Sequence, residues 1–245
     1  MKQGKYKILE NRRIAPGIMQ MFLEGDSSAF TRGGQFVDVA LEGSFLRRPF
    51  AVRSWKPGSF DIIYKVIGAG TEAMAAMGRG EELDMLTGLG NGFDASACKE
   101  SALIVCGGLG ASPVFSLASE LVSSGKRVRV IAGFNKASEI VLFDEYRSLG
   151  VDLHIVTMDG SAGIKGLVTD AFRILKPEYD YFYTCGPRVM MKAVCESLSG
   201  HGEASLEERM GCGCGICYGC TCHTVNGPAR VCADGPVFKK EDIIW

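Results

Sequence analysis

The sequence predicts a protein of β plus α/β class. It should combine an antiparallel β-barrel, a doubly wound parallel sheet and a small cysteine-rich C-terminal domain. Three observations lead to this prediction. Short strand-like runs that end at Gly or Pro fill the chain up to about residue 89, strands and helices alternate from about residue 101, and six of the ten Cys fall between Cys212 and Cys232. The domain boundaries that we predict are 1–95, 96–200 and 201–245.

Composition limits the classes of function. The 245 residues carry a net charge of −1, with 47% hydrophobic and 22% charged residues, which is typical of a globular chain and unlike one that wraps nucleic acid. The polar start of the chain lacks the apolar core of a secretory signal. The uncharged stretch 101–119 contains glycines and a proline, which favours a strand, turn and helix over a membrane span. We expect a cytoplasmic protein with reduced thiols and no membrane contact.

Six short runs, many of them alternating apolar and polar residues, predict the barrel. The predicted strands are Tyr6–Glu10, Ile18–Leu23, Gln35–Leu41, Phe50–Arg53, Ser59–Ile67 and Leu83–Thr87. We predict one helix between the last two strands, Glu72–Met77, with Thr71 as its N-cap because a hydroxyl there can satisfy a free amide. The segment Asn91–Glu100 is the predicted linker.

The middle of the chain begins with the wholly apolar run Ala102–Cys106, which is typical of a central strand in a parallel sheet. The alternation that follows implies right-handed crossovers and a doubly wound sheet. The predicted elements are helix Pro113–Ser123, strand Arg127–Ala132, helix Ile140–Ser148, strand Asp152–Val156, helix Leu167–Leu175, strand Tyr181–Thr184 and helix Val189–Leu198.

Two turns at strand ends predict a nucleotide site, since the carboxyl ends of neighbouring parallel strands form a ligand crevice. They contain Gly107, Gly108 and Gly110 in the first turn, and Cys185, Gly186 and Pro187 in the second. The first turn suits a dinucleotide pyrophosphate at a helix N-terminus but is not a strict G-x-G-x-x-G, and a plain strand-to-helix turn is the alternative. Cys185 is either a buried structural thiol or part of a nicotinamide site. The segment Gly133–Lys136 has no arginine cluster for a 2′-phosphate, which favours NAD(H) over NADP(H).

The barrel carries a weaker indication of a flavin site. Arg48 on a strand and Gly70-Thr71 at the start of a helix are suited to a pyrophosphate, because a guanidinium and free helix amides both bind phosphate oxygens. Phe50 and Tyr64 are placed to flank an isoalloxazine ring. The alternative for Arg48 is a surface ion pair.

The tail carries the most specific motif. Cys212, Cys217 and Cys220 have the spacing C-x4-C-x2-C, and Cys232 follows after eleven further residues, which is the plant-type pattern for a 2Fe–2S cluster. Zinc is the alternative, although a structural zinc site usually pairs its cysteines as C-x2-C twice. Cys214 and Cys222 are spare; we interpret them as small side chains in a tight loop, and a swap with one of the four ligands stays open.

Taken in this order, barrel, nucleotide domain and cysteine tail closely resemble the electron-transfer subunits of class 1B dihydroorotate dehydrogenases, in the ferredoxin-reductase superfamily. The resemblance covers nearly the whole chain. It depends on Arg48-Pro49-Phe50-Ala51, Gly70-Thr71, the turn Gly107–Gly110, Cys185-Gly186-Pro187 and the run Ser205–Met210 that leads into the cysteine loop.

The resemblance implies the cofactors and the residues that hold them. Residues 1–95 would bind FAD, residues 96–200 NAD(H), and residues 201–245 a 2Fe–2S cluster. The implied FAD contacts are Arg48, Pro49, Phe50, Ala51, Ile63, Tyr64, Lys65, Gly70 and Thr71, and the implied cluster ligands are Cys212, Cys217, Cys220 and Cys232. Two departures stand out: Ala51 replaces the Ser or Thr usual in the family, and Cys106 occupies the first position of a run that is often all glycine.

The implied activity is an electron relay in de novo pyrimidine (UMP) biosynthesis. Electrons would pass between NAD(H), FAD, the cluster and the FMN of a partner subunit that interconverts dihydroorotate and orotate. A heterotetramer with two copies of each subunit is the expected assembly. Cofactors supply the chemistry in such a relay, so we predict no catalytic residue on this chain. The three histidines, His154, His201 and His223, are expected to be structural or solvated.

Two other classes of function remain open from the sequence. The first is the small subunit of an NADH-dependent ferredoxin–NADP reductase or of a sulfide dehydrogenase, which would use the same cofactors with another partner. The second is a non-enzymatic zinc-binding or redox regulatory module. Flavin together with about two irons per chain, the content of a 2Fe–2S centre, would exclude the second class.

Overall fold

The N-terminal part of the chain folds into a closed six-stranded antiparallel barrel in the computed structural model, which describes residues 1–245. Its strand order is β1-β2-β5-β4-β3-β6. Alternate side chains such as those of Ile8, Met21 and Ile62 point inward and are fully buried. The strands are β1 (Lys2–Ala15), β2 (Ile18–Glu24), β3 (Phe36–Val39), β4 (Arg48–Lys56), β5 (Ser59–Lys65) and β6 (Glu82–Leu89).

One helix, α1 (Ala69–Ala76), lies between β5 and β6. The prediction of a helix from Glu72 with Thr71 as N-cap is wrong, because the helix begins three residues earlier with Gly68 as its N-cap. The Thr71 hydroxyl instead reaches back. It accepts hydrogen bonds from the amides of Ile67 at 2.9 Å and Gly68 at 3.3 Å, and it donates to the Gly68 carbonyl at 3.0 Å. Thr71 therefore closes the first turn from inside the helix.

The second half contains a seven-stranded sheet of order β10-β9-β8-β7-β11-β12-β15. All neighbours in it are parallel except β12 and β15, so the predicted fold class is confirmed. Its strands are β7 (Ser101–Gly107), β8 (Arg127–Phe134), β9 (Asp152–Thr157), β10 (Ile164–Lys165), β11 (Tyr181–Cys185), β12 (Gly202–Ser205) and β15 (Val237–Lys239). The helices that connect them are α2 (Phe115–Ser123), α3 (Phe143–Ser148), α4 (Val168–Leu175) and α5 (Arg188–Ser197).

Two predicted helices begin later than expected. The first is α2, because Gly108–Ala111 forms a 3-10 turn after β7 and the helix starts only at Phe115. The second is α3, because Leu142 has a left-handed φ of 60° that separates the helix from a preceding 3-10 turn, Ala137–Glu139. The first turn of the predicted helix Ile140–Ser148 is therefore wrong.

The tail is joined to the sheet rather than separate from it. Strand β12 pairs with β11, and β15 pairs with β12, so the sheet crosses the predicted boundary at residue 200. A hairpin of β13 (Thr221–Thr224) and β14 (Gly227–Arg230) projects from this part. The division into three domains stays a prediction.

The buried hydrophobic residues form three cores, one inside the barrel and one on each face of the sheet. One sheet face packs with α2 and α3 and also takes in Ile18 and Ile63 of the barrel. The other packs with α4, α5 and the tail. None of the helices combines the length and the apolar character that crossing a membrane requires.

Candidate functional site

A cavity of about 580 Å³ lies where barrel, sheet and tail meet. This volume is in the usual range for small-molecule and cofactor sites. It brings together all nine residues predicted to contact FAD, together with Cys185 of the second glycine turn. The shared lining residues are Arg48, Pro49, Phe50, Ala51, Ile63, Tyr64, Lys65, Gly70, Thr71 and Cys185.

Arg48 and the start of α1 form one end of the cavity. The guanidinium donates to the carbonyls of Leu46 at 2.6 Å and Arg47 at 3.2 Å and has no carboxylate partner, so the alternative of a surface ion pair is wrong. A Cβ on Gly70 would lie 3.6 Å from Arg48 Nε, which places the first turn of α1 against this cation. An unpaired guanidinium beside free helix amides fits a pyrophosphate.

Aromatic and apolar groups form the neighbouring wall. The rings of Phe50 and Tyr64 have centroids 5.7 Å apart at an angle of 60°. The Tyr64 hydroxyl donates to Asn11 Oδ1 at 3.0 Å, which fixes its ring. Together with Ile63 these side chains offer the apolar surface that a flat isoalloxazine ring needs.

Ser112 is a lining residue that the sequence did not indicate. Its side chain is only 2% exposed, it lies directly after the 3-10 turn that follows β7, and its Oγ has no hydrogen-bond partner. A buried hydroxyl without a partner fits a polar ligand atom in the cavity. Nothing in the local sequence marks Ser112, because only the folded chain brings the end of β7 to the barrel.

The two glycine turns meet at the carboxyl edge of the sheet. A Cβ on Gly110 would overlap the backbone carbonyl of Cys185, and one on Gly186 would lie 2.9 Å from the Gly107 amide. These three glycines therefore let the two turns pack directly on each other. Only Gly108, with φ of 54°, faces open space.

The nucleotide residues are thus only partly gathered at the cavity. Gly107, Gly108, Gly110, Gly186 and Pro187 do not line it, whereas Cys185 does. The turns nevertheless adjoin it through Cys185 and through Leu109, so their assignment to NAD(H) stays a prediction.

Cys106 and Cys185 occupy paired positions on β7 and β11. Burial raises the pKa of the Cys106 thiol to about 12, and burial followed by the charge of Glu207 raises the pKa of Cys185 well above its usual range. Both side chains are therefore neutral thiols, which suits small apolar groups rather than nucleophiles.

The four predicted cluster cysteines approach one another as two pairs. The Cys217 amide donates to Cys212 Sγ at 3.4 Å, and the Cys232 amide donates to Cys220 Sγ at 3.4 Å. No three His, Cys, Asp or Glu side chains come together as a metal site in the chain. The two pairs together supply four thiolates, the number that a 2Fe–2S centre needs, and the C-x4-C-x2-C spacing is the feature that favours this centre over zinc.

Backbone amides surround the sulfurs of both pairs. Cys212 Sγ accepts hydrogen bonds from the amides of Ile216 at 3.3 Å and Cys217 at 3.4 Å. Burial acts to raise the pKa of Cys212, but hydrogen bonds within the loop, chiefly from Cys217 and Cys214, outweigh it and lower the pKa to about 6. The loop therefore favours the thiolate, the form that binds metal.

The two pairs differ in exposure. Cys220 and Cys232 are each 2% exposed, and the Cys232 amide donates to Cys220 Sγ at 3.4 Å. Cys217 is exposed to solvent. One pair thus lies against the sheet and the other lies at the surface.

The spare cysteines have different surroundings. Cys222 is 3% exposed on β13 and packs in the sheet core, in agreement with a small buried side chain. Cys214 lies two residues from Cys212 in the loop, and burial raises the pKa of its thiol. A swap of Cys214 with a predicted ligand therefore stays open.

Arg230 holds the loop from the sheet side. Its guanidinium donates to the Gly215 carbonyl at 2.8 Å and to both carboxylate oxygens of Asp234 at 2.8 Å. It also lies 5.2 Å from the centroid of the Tyr218 ring. These contacts fix the middle of the cysteine loop to the end of β14.

None of the three histidines lines the cavity. His154 adjoins Asp152 on β9, His201 lies 3.3 Å from Glu241, and His223 is exposed on β13. These positions agree with structural or solvated roles.

Two family models match the chain. Residues 104–196 match the oxidoreductase NAD-binding domain, and residues 207–244 match the iron-sulfur cluster binding domain of dihydroorotate dehydrogenase B. The second match covers the cysteine loop and the strands that hold it.

Similar proteins extend the comparison to the whole chain. The electron transfer subunit of dihydroorotate dehydrogenase B (NAD(+)) from Shouchella clausii is 37% identical over 256 residues, covering 99% of this chain and 98% of that protein. The structure of an NADH-dependent reduced ferredoxin-NADP oxidoreductase superposes with a TM-score of 0.90 at 29% identity, covering 98% of this chain and 90% of the other. A ferredoxin NADP+ reductase from Neisseria gonorrhoeae with bound FAD and NADP shares the fold, with a TM-score of 0.70 at 18% identity over 80% of this chain and 90% of the other.

Proposed function

The chain belongs to the family of electron transfer subunits of dihydroorotate dehydrogenase B (NAD(+)), and we propose that it moves electrons between NAD(H) and a catalytic partner subunit through FAD and a 2Fe–2S cluster. The residues present fit these cofactors. The cavity has an unpaired cation, free helix amides and apolar walls, and the tail has two thiol pairs surrounded by amides.

One observation carries the proposal. Five of the six residues from Ser205 to Met210 line the cavity, all except Arg209, and Cys212 follows Met210 by two residues. The chain therefore links the flavin cavity directly to the first cluster ligand. A relay requires a short separation between its two redox sites. This segment of the chain keeps the two sites close together.

The barrel residues bind and orient. Arg48 and the first turn of α1 hold a pyrophosphate, while Phe50, Ile63 and Tyr64 pack on the flat ring and exclude water from it. When bound, FAD exchanges two electrons with NAD(H) and single electrons with a 2Fe–2S cluster. Ala51 offers no hydroxyl at the flavin, so the polar side chain of Ser112 is the proposed hydrogen-bonding group on the sheet side of the cavity.

The remaining site residues divide by segment. Gly107, Gly108, Gly110, Gly186 and Pro187 would bind NAD(H) at the edge of the sheet, and Cys185, a small neutral group that lines the cavity, would adjoin the nicotinamide. Cys212, Cys217, Cys220 and Cys232 would hold the 2Fe–2S cluster. Cys220 and Cys232 are buried and would exclude water from their side of the site, and the exposed Cys217 marks the side that a partner could approach.

The partner that we propose is a dihydroorotate-oxidising subunit with FMN, in an assembly of two copies of each chain. The pathway is pyrimidine biosynthesis. In this assignment the chain is the NAD-dependent half of the enzyme, and the acid-base chemistry on dihydroorotate belongs to the partner.

Co-purification with that partner tests the function. We expect the complex to reduce NAD+ when given dihydroorotate, and Arg48→Gln to lose FAD and this activity together, since it removes the pyrophosphate cation. Arg13→Gln is the matched control, because Arg13 is an exposed barrel arginine away from the cavity. A complex that binds FAD and iron but does not couple dihydroorotate to NAD+ would contradict the proposal.

The NADH-dependent ferredoxin–NADP reductase small subunit is a second candidate, favoured by the TM-score of 0.90 to such a structure. It shares the fold and the cofactors but differs in its partner. Reduction of NADP+ from NADH and reduced ferredoxin by the co-purified complex, without turnover of dihydroorotate, would favour it.

A further inference from the structure

Asp38 is a barrel residue whose side chain faces the cysteine loop. Its neighbours on β3, Val37 and Val39, are fully buried in the barrel core, so the alternation of the strand turns Asp38 to the outer face. There the tail covers it, and the residue is only 1% exposed. A Cβ on Gly213 would overlap Asp38 Oδ2, so the carboxyl group lies directly against the backbone of the loop.

The carboxyl group has no hydrogen-bond partner on Oδ1, although two arginines lie near it. Arg47 pairs with the side chain of Asp84 and donates to main-chain carbonyls. Arg48 donates only to main-chain carbonyls. Buried carboxylates are normally paired, because an unpaired one lowers the stability of the fold. No contact within the barrel therefore compensates for the burial of Asp38.

The position of Asp38 identifies what it faces. Gly213 follows Cys212 directly, so the Asp38 carboxyl that lies against Gly213 adjoins the backbone of the Cys212 turn. Gly213 has φ of 64°, so this turn of the loop is both left-handed and in contact with the barrel. Asp38 is thus the barrel side chain that meets the half of the loop held by Cys212 and Cys217.

We propose that Asp38 is a positioning residue that seats the Cys212 turn against the barrel and keeps the reduction potential of the cluster low by its negative charge. This inference rests on the proposed function, since it requires a cluster in the loop. Reduction adds an electron to the cluster, and a fixed negative charge in a poorly solvated place disfavours that addition. No other carboxylate in the barrel contacts the loop backbone through a glycine in this way.

Potentiometric titration of Asp38→Asn at pH 8 tests the inference, with the cluster followed by EPR. Asn keeps the size of the side chain and removes its charge, so we expect the cluster to become reduced at a higher potential than in the wild-type chain. Asp26→Asn is the control, because Asp26 is a half-exposed barrel residue paired with Lys2 and remote from the loop. It should leave the potential unchanged. Asp38→Glu restores the charge and should return the potential towards the wild-type value.

Other outcomes also decide the inference. An unchanged potential in Asp38→Asn, with full iron and flavin content, overturns it. If Asp38→Asn and the smaller Asp38→Ser both keep FAD but lose iron, the positioning role is supported. If both lose FAD and iron together, Asp38 is a structural residue of the barrel and the inference fails. A wild-type chain without iron would instead contradict the proposed function.

Discussion

The paired turns after β7 and β11 and the cysteine loop differ in how each site is formed. The turns are packed on each other through Gly107, Gly110 and Gly186, and the strands that carry them are buried on both faces. The cysteine loop from Cys212 to Cys217 passes from the buried Gly213 and Gly215 to the exposed Ile216 and Cys217, and side-chain contacts such as that of Arg230 with Gly215 fix it. Main-chain packing therefore holds the two turns together, whereas side-chain contacts hold the cysteine loop.

Because of this difference, we expect different substitutions to disrupt the two regions. The paired turns should be disrupted by an added Cβ that overlaps the backbone, even when no charged group changes. The cysteine loop should depend on thiols, on the Arg230 contacts and on the Asp38 contact.

Cys217→Ser should abolish the visible absorption of the cluster and leave FAD bound, because one iron loses a thiolate that serine cannot replace well. The matched control is Cys214→Ser, which should keep the cluster. Iron and acid-labile sulfide analysis with flavin absorption measures both. Loss of the cluster in Cys214→Ser with retention in Cys217→Ser would show that the ligand assignment is wrong.

Gly110→Ala should destabilise the sheet region, because its Cβ would overlap the Cys185 carbonyl. We expect the free energy of unfolding to fall by about 3 kcal/mol, which a lower thermal midpoint would show. Reduction of the flavin by NADH should also become slower. Gly78→Ala is the control, since its Cβ would meet only Glu81 Oε2 at 3.7 Å. Equal midpoints for the two variants would contradict the account of the turns.

Glu203 on β12 lies where the tail joins the sheet, and its carboxylate accepts a hydrogen bond from the Asp94 amide at 3.0 Å. Burial raises the pKa of Glu203 from 4.5 to about 7. The folded state therefore prefers the protonated form, and stability present below pH 4.5 is lost as the pH rises through 7.

Glu203→Gln should remove this loss and stabilise the chain by about 2 kcal/mol at pH 8, with the gain shrinking towards pH 4.5. Denaturant unfolding at a series of pH values measures it. A gain that is the same at every pH would mean that the carboxyl group titrates normally.

The order of strands and helices could be predicted from the sequence, and so could a cluster site in the tail. Both predictions depend on local patterns, namely the alternation of apolar residues and the spacing of the cysteines. It could not predict that Asp38 and Ser112 belong to the sites, since each is brought there by chain that is distant in sequence. The short strands β12 and β15 escaped prediction within a tail rich in Gly and Cys. The predicted starts of α1 and α3 were wrong for two local reasons. The Thr71 hydroxyl bonds the Gly68 carbonyl from within α1, and Leu142 adopts a left-handed conformation just before α3.

Arg230→Lys should loosen the cysteine loop alone, because one ammonium nitrogen cannot occupy the three positions from which Nε, Nη1 and Nη2 of Arg230 bond Asp234 and Gly215. We expect the free energy with which these contacts stabilise the loop to fall by about 1 kcal/mol, which corresponds to roughly fivefold faster removal of iron by a chelator. Arg129→Lys, which alters the ion pair with Asp152 on the sheet, is the control. A similar rate for both variants would show that Arg230 does not hold the loop.

Anaerobic titration of the isolated chain with NADH, followed by visible absorption and EPR, tests the central claim most directly. The account predicts that NADH bleaches the flavin and that a reduced 2Fe–2S signal develops, whereas Cys217→Ser shows only the flavin change. A protein that is purified without oxygen and contains neither flavin nor iron, or a flavin that NADH does not reduce, would contradict it.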